Sequence, residues 1–180
     1  MNWTEYFMNI AQAVKLKSKD IKTQIGVVIV GKDNEIVSTG YNSFPRGIVD
    51  TIDDRQERPE KYYWMEHAER NAIYNAARIG VSTKDCTMYC TCDLSCADCA
   101  RAIINAGITT VVFTYSNKEW PQIWKDSAIR SKQMFLEAGV KIEYCDLVPI
   151  TDIEEFKKQP IYIPYMPLQW TDVDSWDKLV

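Results

Sequence analysis

The sequence predicts an α/β fold, a three-layer α/β/α sandwich around a mixed sheet of about five strands. Two β-branched segments separated by a turn come early in the chain, and strand and helix patterns alternate in its second half. This alternation indicates parallel pairing, because a crossover helix returns the chain to the same end of the sheet. At 180 residues the chain has the length of one domain with a full core.

The first elements are a helix and a hairpin. Apolar residues recur at spacings of three and four over residues 3–19, which predicts a helix with one stripe toward the core. The stripe consists of Trp3, Phe7, Ile10 and Val14. Residues 24–30 and 35–41 are extended in character and flank the turn sequence Gly31-Lys32-Asp33-Asn34, so they predict two paired strands.

A long loop and a second helix follow. Residues 42–59 lack periodicity and are rich in Pro, Arg and Asp, and loops of this length usually serve a site. Residues 66–79 predict a helix that Gly80 ends. Its small-residue face, which permits close approach to a sheet, consists of Ala68, Ala72, Ile73, Ala76 and Ala77.

The second half alternates between strands and helices. Strands are predicted at 87–91, 109–115 and 140–144, and helices at 96–106 and 121–138. The prediction is therefore one domain over residues 1–145, followed by a C-terminal extension over 146–180. The extension is rich in Pro, Tyr and Trp, so we expect it to pack on this domain or on a neighbouring subunit.

Charge and hydropathy argue against several classes of function. The net charge of −4 disfavours a nucleic-acid polymer as partner, since such proteins neutralise several phosphates. A mononucleotide needs only one or two cations, which Arg46, Arg55, Arg58 or Lys118 could supply. The sequence shows no secretory leader and no run of the roughly 20 apolar residues that a membrane span needs, so a cytoplasmic protein is expected.

One histidine and a pair of cysteines carry the strongest chemical signal. His67 lies in Glu66-His67-Ala68-Glu69 and Cys96-Ala97-Asp98-Cys99 follows, both at predicted helix starts, where the helix dipole favours thiolate. Two thiolates and one imidazole form a three-ligand zinc set, and a catalytic zinc site leaves its fourth position for water. Glu69 is the candidate proton carrier, because it reaches a pocket over the first turn of the helix.

These residues resemble the signature of the cytidine deaminase superfamily, in which His-x-Glu is followed by Pro-Cys-x-x-Cys and the glutamate is acid and base rather than ligand. Further motifs make the chain similar to the deoxycytidylate deaminases over roughly residues 5–145. These motifs are Ser18-Lys19-Asp20, Gly40-Tyr41-Asn42, Phe44-Pro45-Arg46-Gly47 and His67-Ala68-Glu69-Arg70-Asn71-Ala72-Ile73.

The resemblance implies zinc-dependent deamination of dCMP to dUMP, which supplies dUMP for dTMP synthesis. Attack would occur at C4 of the cytosine, with Glu69 moving a proton to N3 and then to the departing ammonia. Asn42 would hydrogen-bond the deoxyribose and Ala68 would offer backbone contacts to the ring. Tyr115 is either a base-stacking residue or a packed tyrosine at the end of a strand.

The resemblance also implies regulation and assembly. Many family members are hexamers that dCTP with Mg²⁺ activates and dTTP inhibits, so a homohexamer is expected here. The effector nucleotide would bind near subunit contacts, at Ser18, Lys19, Asp20, Tyr41 and Arg46.

The chain departs from the family pattern at two positions. Ser95 replaces the proline before the first cysteine, and its spacing to Asp98 predicts a hydroxyl cap on the helix that compensates. Ser43 replaces a glycine after Gly-Tyr-Asn, which puts a side chain near the expected effector site. The four other cysteines are expected to be small core residues; they are Cys86, Cys90, Cys92 and Cys145.

Three alternatives remain open. The first is another deaminase of the same fold that acts on a free base, a nucleoside, a pterin-like ring or an adenosine in RNA, although the acidic balance of the chain argues against RNA. A binding module would use zinc only to hold its loops. A thiol oxidoreductase would use Cys96 and Cys99 and contain no metal.

Overall fold

A mixed five-stranded sheet is the centre of the fold in the computed structural model, which describes residues 1–114 and 122–145. The strands are β1 (Gly26–Val30), β2 (Ile36–Tyr41), β3 (Thr87–Cys90), β4 (Thr110–Thr114) and β5 (Lys141–Cys145). Their spatial order is β2-β1-β3-β4-β5. Strand β1 is antiparallel to both β2 and β3, whereas β3, β4 and β5 run parallel to one another.

Helices cover both faces of this sheet. They are α1 (Trp3–Lys15), α2 (Lys61–Trp64), α3 (Ala68–Ile79), α4 (Ala97–Asn105) and α5 (Gln122–Glu137). On one face, Phe7, Met8 and Ala11 of α1 pack against Val28 and Val30. On the other face, residues of α3, α4 and α5 form the larger core cluster with β1, β3 and β4. The predicted three-layer sandwich with a mixed sheet is confirmed.

Strand β1 shows why the sheet needs a layer on each side. All five of its residues are buried, and alternate side chains point to opposite faces. Val27 and Ile29 belong to the cluster beneath α3 and α4, whereas Val28 and Val30 belong to the cluster beneath α1. The apolar run therefore forms a central strand covered on both faces.

Helix α3 approaches β2 closely because small residues meet at their contact. A Cβ atom on Gly40 would lie 2.3 Å from the Ala72 nitrogen and 2.5 Å from the Ala68 carbonyl oxygen. Polar side chains fix the helix in register: Asn71 Nδ2 donates to the Tyr41 carbonyl at 2.9 Å, and Ser38 Oγ donates to the Ala72 carbonyl at 2.7 Å. The start of α3 is thereby held rigidly against the sheet.

Two predictions need correction, and the bounds of the other predicted elements agree with the structure to within two residues. The first helix ends at Lys15 rather than at residue 19, because the chain turns there and Ser18 bonds to Asn42. The loop predicted over 42–59 contains a turn of 3₁₀ helix at Asp53–Gln56, and Ser43 pairs with Glu66 in an isolated β-bridge.

Two further predictions lie outside the described residues. The boundary at residue 145 and the packing of residues 146–180 stay predictions, as does the structure around Tyr115 and Lys118. Among the helices of residues 1–114 and 122–145, none has the length and apolar character that crossing a membrane requires.

Candidate active site

The sequence-predicted metal ligands lie together at two helix N-termini. His67 directly precedes α3, Cys96 directly precedes α4, and Cys99 lies in the first turn of α4. His67 Nδ1 is 3.5 Å from Cys96 Sγ and 3.4 Å from Cys99 Sγ. All three donor atoms fall within 4.8 Å of one another, so one small cation can contact them at once.

One of these groups, Cys96, is already in the form that binds a thiophilic cation. Hydrogen bonds from Cys99 and then from His67 lower the pKa of the Cys96 thiol to about 4, which makes it a thiolate at neutral pH. The bond to Cys96 raises the pKa of Cys99 well above its ordinary value, and the separate bond between Cys96 and His67 raises the pKa of His67, so Cys99 and His67 must each release a proton when they bind a cation. Two sulfurs and one imidazole nitrogen are ligands that zinc prefers, so the residues present fit a zinc ion.

Glu69 is a buried carboxyl group beside this set. It lies in the first turn of α3 and is 4% exposed. Burial raises the pKa of Glu69, while the charge on His67 and a hydrogen bond with Cys99 oppose that rise. A carboxyl group whose pKa is moved toward neutrality can both accept and return a proton, as an acid/base catalyst must.

Helix α5 supports the cysteine loop through two serines that sequence reasoning missed. Ala97 N donates to Ser127 Oγ at 2.9 Å, which satisfies a free amide at the start of α4. Ser95 Oγ lies 3.3 Å from Ser131 Oγ, and both serines are buried. The expectation that Ser95 caps α4 is wrong, because Cys96 is the N-cap residue and the Ser95 hydroxyl faces α5; Asp98 pairs with Arg101 instead.

Asn42, the predicted deoxyribose contact, is buried and its amide is fully hydrogen-bonded inside the protein. Its Oδ1 accepts from the Ser18 hydroxyl and from the Ile25 amide, each at 2.7 Å. Its Nδ2 donates to the Thr23 carbonyl at 2.6 Å and to Asp20 Oδ2 at 3.4 Å. The amide thus joins the end of β2 to the segment that contains Ser18 and Asp20.

A buried ion pair that sequence reasoning missed completes this network. Lys61 Nζ donates to Asp20 Oδ2 at 2.5 Å, and both side chains are almost fully buried. Asp20 also accepts from the amides of Lys22 and Thr23, and these bonds together with Lys61 lower its pKa against the opposing effect of burial. No sequence signal marks Lys61, because its partner lies 41 residues away.

The remaining predicted nucleotide-binding residues lie in two places. Lys19 forms an ion pair with Asp50 at 3.0 Å, in the same region as Ser18 and Asp20. Arg46 is exposed and donates to Asn75 Oδ1 on α3 at 2.5 Å, while Tyr41 contributes its carbonyl to Asn71. Ser18, Lys19 and Asp20 are therefore adjacent, whereas Arg46 is bonded to the middle of α3.

Aromatic rings border the metal set. The Trp124 ring of α5 has its centroid 6.1 Å from that of His67 and 6.0 Å from that of Tyr62. Arg58 lies over Tyr62, at 5.7 Å from the ring centroid. Of the other residues predicted to contact substrate, Ala68 is buried next to His67 at the start of α3, and Tyr115 lies outside the described part of the chain.

Residues 1–115 match the family model described as the cytidine and deoxycytidylate deaminase zinc-binding region. That span contains β1 to β4 and all four residues of the candidate metal and proton-transfer site. The fold and the site define a hydrolytic deaminase. The chain belongs to the cytidine and deoxycytidylate deaminase family.

Curated relatives match most of the chain. Human deoxycytidylate deaminase is 35% identical over 169 residues, covering 89% of this chain and 90% of its own length. A protein of Aliivibrio fischeri described as an uncharacterized deaminase in the luxG 3′ region is 37% identical over 145 residues, covering 81% and 95%.

A solved structure supports the fold. The dCMP deaminase of cyanophage S-TIM5 in its apo form superposes with a TM-score of 0.62 at 22% identity, covering 79% of this chain and 96% of the phage chain. A second crystal structure of that phage enzyme, in complex with dCMP and dUMP, gives a TM-score of 0.61.

Proposed function

We propose that the protein deaminates dCMP to dUMP with one zinc ion per subunit, and thereby supplies dUMP for dTMP synthesis. The observation that carries the proposal is the position of Glu69, a buried carboxyl in the first turn of α3, two residues after His67 of the candidate metal set. The nearly full-length match to human deoxycytidylate deaminase supports dCMP as substrate.

His67, Cys96 and Cys99 would hold the zinc ion, which when bound supplies a water activated at near-neutral pH. Glu69 would take a proton from the attacking water and deliver it to N3 of the cytosine. The same carboxyl would then pass a proton to the amino group at C4, which leaves as ammonia. Burial of Glu69 suits both transfers, because it raises the pKa of the carboxyl toward the operating pH.

The binding residues are proposed on the same family basis. Asn42 would bind the deoxyribose, Ala68 would contact the ring through its backbone, and Tyr115 would stack on the base. Because all four hydrogen-bonding positions of the Asn42 amide are used within the protein, a sugar hydroxyl must replace one of these bonds. The bond of Nδ2 to Asp20 is the longest, at 3.4 Å, and is the one most easily exchanged.

Regulation and assembly form the second part of the proposal. A homohexamer would bind dCTP with Mg²⁺ as activator and dTTP as inhibitor, near Ser18, Lys19, Asp20, Tyr41 and Arg46. The direct bonds from Asn42 to Ser18 and Asp20 support this assignment, because they join the proposed substrate and effector residues. An effector that moves Ser18 would also move Asn42.

One assay separates the substrate alternatives. The zinc-loaded protein is incubated with dCMP, CMP, dCTP and deoxycytidine, each alone and with added dCTP or dTTP, and ammonia release is followed. The proposal predicts the highest kcat/KM for dCMP, activation by dCTP and inhibition by dTTP. Equal rates on deoxycytidine and dCMP would reject the nucleotide assignment, and a protein that binds dCMP without releasing ammonia would be a binding module.

A further inference from the structure

A second group of side chains that could bind a metal shares Glu69 with the candidate active site. It consists of Cys90 at the end of β3, Cys92 two residues later and Glu69, and we call it the dithiol cluster. Its three donor atoms lie within 4.8 Å of one another. The two sulfurs are 2.9 Å apart, and Cys92 Sγ is 3.9 Å from Glu69 Oε1. None of these sulfurs belongs to the His67–Cys96–Cys99 set.

The backbone holds the two thiols in place. Thr91, between them, bonds to Gly26 of β1 through its amide at 3.0 Å and through its hydroxyl at 2.9 Å. The Cys92 carbonyl accepts from the amide and the hydroxyl of Thr114, at 3.0 and 3.2 Å. The segment is thus fixed to the strand on each side, so the backbone positions of the two thiols are set before a cation binds.

The environment distinguishes these cysteines from ordinary core residues. Cys90 is fully buried and Cys92 partly buried, both in the cluster under α3 and α4. In an apolar core their neighbours would be hydrocarbon, but here a buried carboxyl faces the sulfurs. Two sulfurs and one carboxylate oxygen are a ligand set for zinc or its heavier analogue cadmium. A disulfide between the two cysteines would explain the close sulfurs but would give the carboxylate beside them no role.

We propose that Cys90, Cys92 and Glu69 form a second, inhibitory site for a thiophilic divalent cation, namely zinc present in excess over the first equivalent. A cation there displaces the proton of each thiol to solvent and takes both thiolates and the Glu69 carboxylate as ligands. The carboxylate then cannot carry protons, so occupancy of the dithiol cluster stops turnover while the first site stays filled. The cation site rests on geometry alone, whereas the inhibition rests on the proposed role of Glu69.

Cadmium provides a direct test of binding. Fully reduced protein that contains one zinc per chain is titrated with Cd²⁺, while the thiolate-to-cadmium absorption in the ultraviolet and the zinc retained are measured. We expect one cadmium per chain with no loss of zinc. Absence of the absorption, or release of one zinc for each cadmium bound, would overturn the site, as would a Cys90–Cys92 disulfide detected in place of metal binding.

Substitutions in the dithiol cluster test whether its three residues produce the cadmium absorption. Cys90→Val, Cys92→Ala and Glu69→Gln are each expected to abolish or strongly weaken the cadmium absorption, whereas Cys86→Ala, which removes another buried thiol of the same core, leaves it intact. Thermal unfolding and zinc content verify that each variant is folded. Glu69→Gln leaves both thiols in place, so it tests the site even if a cysteine variant does not fold. Unchanged absorption in all three variants would refute the site.

Added zinc tests the consequence for activity. Saturating Zn²⁺ beyond the first equivalent is expected to lower the rate by on the order of 10²-fold, the usual contribution of an acid/base group. Cys92→Ala, compared with its own rate before addition, should lose this inhibition. If cadmium binds as described but excess zinc leaves the rate unchanged, the cation site stands and the proposed role of Glu69 fails.

Discussion

Asp20 and Lys61 form a buried ion pair of 2.5 Å across 41 residues of sequence. The pair fastens the start of α2 to the segment after α1, and the same Asp20 carboxylate contacts the Asn42 amide. The long loop between β2 and α2 is therefore fixed at both of its ends, at Asn42 and at Lys61. The pair thus contributes one of the four contacts that hold the proposed deoxyribose contact, and the other three are shorter.

Removing one partner of the pair should be costly. Lys61→Met leaves the Asp20 carboxylate buried and unpaired, and such changes cost about 3–5 kcal/mol. We expect the free energy of unfolding to fall by that amount, and KM for dCMP to rise because Lys61 no longer fixes Asp20, one of the four groups that hold the Asn42 amide. Urea denaturation and steady-state kinetics measure the two effects.

The exposed pair between Lys22 and Glu57 is the matched control. Lys22→Ala removes an ion pair that also measures 2.5 Å but lies in solvent, so it should cost less than about 1 kcal/mol. Similar losses in the two variants would contradict the assignment of Lys61 as a buried structural cation.

The same pair predicts how stability depends on pH. Hydrogen bonds from Lys61 and two amides outweigh the effect of burial and keep the pKa of Asp20 in the folded state below its ordinary value of 3.8. Its stabilising effect is therefore complete above that value and is lost as pH falls through the lower folded pKa. The difference in unfolding free energy between wild type and Asp20→Asn should be constant between about pH 5 and 7 and shrink below about pH 4. A difference that grows on acidification would contradict this sign.

Ser127 should influence metal affinity without touching the metal. Its hydroxyl accepts from the Ala97 amide, between Cys96 and the turn that holds Cys99. Ser127→Ala should weaken zinc binding by about 10-fold, the lower end of the effect of outer-shell residues. Competition with a chromogenic chelator measures this, and Ser82→Ala, whose hydroxyl bonds only locally to Lys84, is the control. Equal affinities in the two variants would show that the Ser127 hydroxyl does not support the cysteine loop.

The fold was predictable because its signals are local. Spacing or residue type within a short stretch of sequence predicts three of its features. These are the five buried residues of β1, the small-residue face of α3, and Gly80 after the end of α3. Predicting the sheet and its three layers required only these short sequence patterns and the rule for crossovers between parallel strands. The end of α1 was missed because a distant contact, Ser18 with Asn42, turns the chain there.

The residues of the candidate site likewise fall into those that the sequence predicts and those that it does not. His67, Glu69, Cys96 and Cys99 could be selected from sequence because metal chemistry restricts the residue types, and helix starts bring them together. The supporting contacts of Lys61, Asn71 and Ser127 join residues that are far apart in sequence. Lysine, asparagine and serine are also common on protein surfaces, so no local sequence pattern marks these three residues. The pairing of Cys90 with Cys92 opposite Glu69 likewise appears only in three dimensions.

Glu69→Gln tests the central claim most directly. Glu69→Gln and wild type are prepared with equal zinc content, and ammonia release from dCMP is measured beside Glu137→Gln, which changes an exposed glutamate at the end of α5. We predict that Glu69→Gln keeps one zinc per chain and loses roughly 10²- to 10⁴-fold in rate, while Glu137→Gln matches wild type. A zinc-loaded Glu69→Gln enzyme that works within about tenfold of wild type would contradict the claim that Glu69 carries the proton.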